Sequence, residues 1–184
     1  ASGADISEFE TLYATQEKSE RFSAQIADGL NALAAFELPT IAQISGACVG
    51  GGCALALACD IRIASTRAKM GETYIKLGLN PGNGGTYFLP RLVGSGMAAE
   101  MALTGDIVDA EKALAIGLVN RIAPADELLA EAVTLAARIA SRPRLAIEAT
   151  KQQLRQSWHM DLPGSMNASF WAVAALTYSD DLRE

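Results

Sequence analysis

Gly46-Ala47-Cys48-Val49-Gly50-Gly51-Gly52-Cys53-Ala54-Leu55-Ala56-Leu57-Ala58-Cys59-Asp60-Ile61-Arg62-Ile63-Ala64 is the stretch whose reading decides the fold. Residues 40–46, leading into it, read as a short buried strand, and the three glycines as a turn. Residues 53–59 read as a short apolar helix, and residues 60–64, where Ile61 and Ile63 alternate with Arg62, as the next strand. A strand, helix, strand succession with apolar faces predicts a right-handed crossover and an α/β core. At the glycines a strand delivers bare N–H groups to the start of a helix, with the positive end of the helix dipole behind them, so the place attracts negative charge. The same residues also serve a tight turn with nothing bound.

Working outward, Phe22, Ile26, Leu30, Leu33 and Phe36 recur at spacings of three and four among charged residues, the pattern of an amphipathic helix that ends before Pro39. Asn80-Pro81-Gly82-Asn83-Gly84-Gly85 is loop chemistry. Beyond Gly96 helical patterns dominate, over residues 97–103, 110–115 and 125–140, then from near Pro143, and over 161–178. Residues 1–95 are therefore expected to form the core and residues 96–184 a mostly helical region.

Composition narrows the function. Half of the 184 residues are hydrophobic and a fifth are charged, enough for one substantial core. Fifteen Lys and Arg against 21 Asp and Glu give a net charge of -6 with no basic cluster, which argues against nucleic acid or an anionic membrane surface as partner. The longest apolar run is broken by the glycines and is too short for a membrane span. Cys48, Cys53 and Cys59 share one apolar segment, as expected of reduced thiols in a cytoplasmic setting, and with His159 as the single histidine no metal site is predicted. Gly-x-Gly-x-x-Gly spacing and a Gly-Lys-Ser/Thr loop are both absent, which disfavours dinucleotide and nucleoside triphosphate chemistry. The opening Ala1-Ser2-Gly3-Ala4-Asp5 lacks an initiator Met, so the chain reads as a portion of a longer protein.

Taken together, Ser2-Gly3-Ala4-Asp5-Ile6, Pro39-Thr40-Ile41-Ala42, the stretch 46–53, Ala58 to Ala64, Leu77-Gly78-Leu79-Asn80-Pro81-Gly82-Asn83-Gly84-Gly85-Thr86, Arg91-Leu92-Val93-Gly94 and Leu103-Thr104-Gly105 resemble the crotonase superfamily in order and spacing. The resemblance implies the ClpP/crotonase-like spiral of ββα units with a helical C-terminal part that makes homo-trimers or dimers of trimers. It also implies an acyl-CoA enzyme of the enoyl-CoA hydratase/isomerase kind, a lyase or isomerase that stabilises a thioester enolate and takes CoA as part of its substrate, with no separate cofactor. In the family two backbone N–H groups hold the thioester oxygen; these correspond to Ala4 and Gly51, with Gly50 beside them. Asp5 and Ile6 would line the pantetheine and adenine side, Asp5 being equally suited to capping the helix that follows.

Hydratases of the family carry two glutamates as acid and base, and at those positions this sequence has Ala54 and Tyr74. The resemblance therefore leaves Tyr74 as a phenolic donor or pocket lining, and Glu72, two residues earlier, as a relocated carboxylate or a solvated helix-start charge. Ala54, Asn80 and Pro81 are expected to contact substrate; Asn80 and Asn83 also suit the turn itself. His159, between Trp158 and Met160, reads as a structural or surface residue. Hydrolase or decarboxylase chemistry on a CoA thioester, and a non-catalytic acyl-CoA-binding module, stand as alternatives. A serine peptidase on the related spiral lacks the residues for a triad.

Overall fold

The computed structural model describes residue 1 and residues 3–179, without the Ile6 side chain. Chain contacts divide it into two compact units, residues 1–35 with 40–132, and residues 36–39 with 133–184.

In the first unit a 3-10 turn (Ile6–Glu8) and a single helical turn, α1 (Phe9–Leu12), precede the long amphipathic helix α2 (Gln16–Ala35). Strand β1 (Ile41–Ile44) follows, then β2 (Ala47–Val49), α3 (Gly51–Ala58), β3 (Ile61–Ser65) and β4 (Lys69–Gly71). The chain lays one strand in each of two sheets in turn: β1 and β3 are parallel neighbours in one, β2 and β4 in the other. That alternation is the expected spiral of ββα units. After a 3-10 turn (Thr73–Leu77) come α4 (Gly85–Val93), α5 (Ser95–Thr104), β5 (Val108–Asp109), α6 (Ala110–Ala115) and β6 (Arg121–Ala123). Strand β5 closes the second sheet antiparallel to β4 and β6 extends the first parallel to β3, so both sheets continue past residue 95.

Buried Leu57, Ile63, Met70, Leu89 and Met101 stand at 0–2% exposure and carry the core; each contributes roughly 1.5–3 kcal/mol of apolar burial. The Thr40 and Asp60 motifs turn out to be one structural device. The Asp60 carboxylate accepts from the Thr40 N–H (2.8 Å) and hydroxyl (2.9 Å), and the Asp60 N–H donates back to Thr40 Oγ1 (3.1 Å). This locks the starts of β1 and β3 in the register that pairs Ile41 with Ile61. Arg62, 3% exposed, satisfies its guanidinium on the carbonyls of Leu118 (2.7 Å) and Cys59 (2.8 Å).

The second unit is helical: α7 (Leu128–Ala140) ends in it, followed by α8 (Arg144–Gln156) and α9 (Leu162–Leu176). Asp161 caps α9 by accepting from the Gly164 N–H (2.9 Å). Lys151 is nearly buried, with its ammonium donating to the Leu38 carbonyl (2.7 Å).

Candidate active site

Segments distant in sequence meet around a cavity of about 520 Å³ in the first unit. Ala1 runs beside β2, its nitrogen donating to the Ala47 carbonyl (2.6 Å) and its carbonyl accepting from the Val49 N–H (3.1 Å). This lays Gly3 against Gly51. A Cβ on Gly3 would stand 2.8 Å from the Gly51 nitrogen, and one on Gly51 would stand 3.1 Å from the Gly3 Cα and 4.0 Å from the Ala4 nitrogen. Only glycine lets two main chains approach so closely. Gly50 makes the bend between β2 and α3 at φ 52°, ψ −125°, where a side chain is strained. Gly51 opens α3, so its N–H is one of the helix's unpaired donors. Among the described residues neither the Ala4 nor the Gly51 N–H has a hydrogen-bond partner.

Tyr74, on the 3-10 turn after β4, brings its hydroxyl to 3.7 Å from where a Gly51 Cβ would sit. The Asn83 side chain donates to that hydroxyl at 3.0 Å, so the phenol's own proton is left to point elsewhere. Burial pushes the Tyr74 phenol up to about 12, the negative charge of Glu72 adds to the effect, and the Asn83 contact offsets part of it. At neutral pH it is a proton carrier and donor, not a base.

Most of the remaining wall is apolar. Tyr13, Phe22, Ile26 and Leu30 come from the α1–α2 side, with Val49, Leu55 and Leu77 opposite. The Tyr13 and Phe22 rings meet edge to face, centroids 5.6 Å apart. These helix residues were legible as an apolar face but not as a pocket wall. The one local hint is Gly29 among them, a glycine inside a helix with nothing within 4 Å of its Cβ position.

Of the predicted site residues, Ala4, Gly50, Gly51 and Tyr74 line the cavity, joined by Asn83. Ala54 does not: it is fully buried on α3, and its neighbour Leu55 faces the cavity. Asp5 takes its capping alternative, accepting from the Ser7 hydroxyl (2.8 Å) and N–H (2.9 Å), which together hold its carboxyl below the usual range. Asn80 and Pro81 shape the loop instead of the cavity, with the Gly82 N–H on the Asn80 carbonyl (2.7 Å) and Pro81 buried against Gly85. The Ile6 side chain lies outside the described residues. His159 is exposed in the short 3-10 turn Ser157–His159.

Glu72 departs most from expectation. It is neither solvated nor in the cavity wall; it is 0% exposed, and no hydrogen bond of ordinary geometry reaches either carboxyl oxygen. Burial pushes its carboxyl up to about 7, with the nearby Cys53 thiol pulling weakly the other way. No cluster of metal-ligating side chains occurs among the described residues, and none of their helices is long and apolar enough to cross a membrane.

The sequence model of the family described as "Enoyl-CoA hydratase/isomerase" matches residues 1–184. The chain is similar to the "Crotonyl-CoA hydratase" of Syntrophomonas wolfei subsp. wolfei, at 38% identity over 182 residues, covering 99% of this chain and 69% of that protein. It is also similar to the "Short-chain-enoyl-CoA hydratase" of Clostridium acetobutylicum, at 38% identity over 87% of this chain and 60% of the relative. Among solved structures, the enoyl-CoA hydratase from Bacillus anthracis superposes with a TM-score of 0.96 at 33% identity, covering all of this chain and 70% of that one. The chain thus spans between six and seven tenths of the length of these relatives, and its fold is the crotonase fold.

Proposed function

The chain belongs to the enoyl-CoA hydratase/isomerase family, and from that premise we propose that its cavity holds an acyl-CoA thioester whose carbonyl oxygen accepts from the Ala4 and Gly51 N–H groups. One observation carries this reading: two main-chain donors without a partner among the described residues lie close together in the lining of a mostly apolar cavity. As electrons move from the acyl chain on to the thioester oxygen, the developing enolate is met by donors already in place, a stabilisation of roughly 3–4 kcal/mol per donor.

Tyr74 is the proton donor. When water adds to the β-carbon of an enoyl thioester, the electron pair reaches the carbonyl oxygen; the phenol protonates the α-carbon and regains its proton from the added water by way of solvent. The apolar wall fits a hydrocarbon acyl chain. CoA comes with the substrate, and the steps use no metal or redox group. A decarboxylation is the second reading, favoured because the lining residues include a phenol but no carboxylate or imidazole. Loss of CO2 from a 2-carboxyacyl thioester makes the same enolate, which needs an acid and no base.

The test is turnover of crotonyl-CoA by the full-length protein, followed as loss of enoyl thioester absorbance. Tyr74→Phe is expected to lower kcat by about 10²-fold with little change in KM. Release of CO2 from a 2-carboxyacyl-CoA without enoyl turnover selects the second reading, and tight CoA binding with neither reaction overturns both.

Assembly as a homo-trimer or a pair of trimers, in the cytoplasm, belongs to the same proposal. Its support is α9, which leaves Leu162, Met166, Phe170 and Trp171 at 63–72% exposure, more apolar surface than a lone helix face keeps in water. Light scattering on the full-length protein measures the state.

A further inference from the structure

Glu72 is a buried carboxyl to which, among the described residues, no hydrogen bond of ordinary geometry is made, the Cys53 thiol being its polar neighbour, and its position gives it a task. It directly follows strand β4 and immediately precedes the turn Thr73–Leu77 that carries Tyr74. Its carboxyl is also packed against the root of the loop that carries Asn83: a Cβ on Gly85, the first residue of α4, would stand 2.7 Å from a Glu72 oxygen and 2.8 Å from Pro81. The Tyr74 end of the 3.0 Å contact between Asn83 and Tyr74 thus follows Glu72 directly in the chain, and the Asn83 end lies two residues before the Gly85 backbone on which the Glu72 carboxyl packs.

We infer that Glu72 is a positioning residue for the Tyr74–Asn83 pair, working as the uncharged acid wedged between the two backbone roots. The inference rests on the proposed role of Tyr74. Uncharged, the carboxyl packs as a polar plug against Gly85. Ionised, it is an unpaired buried anion that must draw in water or push the roots apart. The titratable groups close enough to feel its charge are Cys53 on α3, Cys48 on β2 and Tyr74; the positive charge of the Ala1 nitrogen acts on Cys48, and no cation is among the groups that set the proton affinity of Glu72 itself. Its raised proton affinity follows from the same burial. Ionisation therefore opposes the arrangement in which Tyr74 is held.

A tyrosine-ring 13C NMR titration of the full-length protein, without any substrate, tests this independently of the thioester reading. The Tyr74 resonance, assigned by its loss in Tyr74→Phe, is expected to shift with a midpoint near 7 in the wild type and to stay flat in Glu72→Gln. Turnover is expected to fall by at least fivefold between pH 6 and pH 8.5 in the wild type, mostly in kcat, and by less than twofold in Glu72→Gln. An unchanged Tyr74 titration in Glu72→Gln, or none in the wild type, overturns the inference. Should Glu72→Gln fail to fold, glutamate-carboxyl 13C labelling of the wild type replaces it: a carboxyl titrating in step with the Tyr74 ring supports the inference, and a set of carboxyls all titrating below 6 overturns it. A flat turnover profile alongside a shifting Tyr74 ring would sink the catalytic role of Tyr74 and leave the positioning intact.

Discussion

The cavity has two halves built on different principles. The half made by Gly3, Ala4, Gly50 and Gly51 is main chain, and its geometry depends on missing side chains: two backbones close to within a glycine's reach, and two N–H groups have no partner among the described residues. The half made by Tyr74, Asn83 and the Glu72 behind them is side chain, and there the two positions that the resemblance assigns to glutamates hold the Tyr74 phenol and Ala54, which is buried away from the cavity. Main-chain donors serve any reaction that passes through an enolate. The side chains opposite decide where the proton goes, so this half can change while the first stays.

The comparison breaks first at the donors. Ala4→Pro deletes one N–H and leaves the cavity side chains of the second half as they are; kcat/KM is expected to fall about 10²–10³-fold, measured on the full-length protein with crotonyl-CoA, and a change of less than fivefold would dissolve the distinction between the halves.

Next in size is the stability effect of Glu72→Gln. The folded-state proton affinity of Glu72 is raised from the ordinary 4.5 to about 7. Its contribution is therefore fully present below 4.5 and is lost as pH rises to about 7. Denaturant unfolding should show Glu72→Gln gaining on the wild type across that window, levelling off above it at about 3 kcal/mol from roughly 1.4 kcal/mol per unit. A gap independent of pH would mean the carboxyl is solvated.

Asn83→Ala sharpens the second half. It leaves the Tyr74 hydroxyl without its donor and should cost about 1–1.5 kcal/mol, or five- to tenfold in kcat, with KM barely moved. The smallest effect is on the apolar wall: Gly29→Ala meets open space and should stabilise α2 by about 0.5–1 kcal/mol, read as a rise in Tm, while slowing the longest acyl chains first.

Legibility followed the range of the interactions. Helix α2, the apolar helix α3 and the C-terminal helices show in the sequence because their periodicity is local. The start of α3 was placed at Cys53, whereas Gly51 and Gly52 already lie in its first turn; glycine's flexibility looked like a turn because nothing local says which conformation it takes. Strands β2 and β4, three residues each, carry no periodicity of their own and exist by pairing with each other. Helix α4 hid behind the glycine-rich loop and Pro90.

In the site the same rule holds. The glycine run is compatible with a place for negative charge and equally with a tight turn, and it is the resemblance that supplies Ala4 and Gly51 as donors. The sequence also determined that no glutamate stands at positions 54 and 74. Only the tertiary structure decided that Ala54 faces inward, that Asn83 donates to Tyr74, and that Glu72 is buried behind them beside the Cys53 thiol. Those facts depend on which side chains from distant segments share a small volume, and burial, unlike periodicity, is a property no single segment possesses.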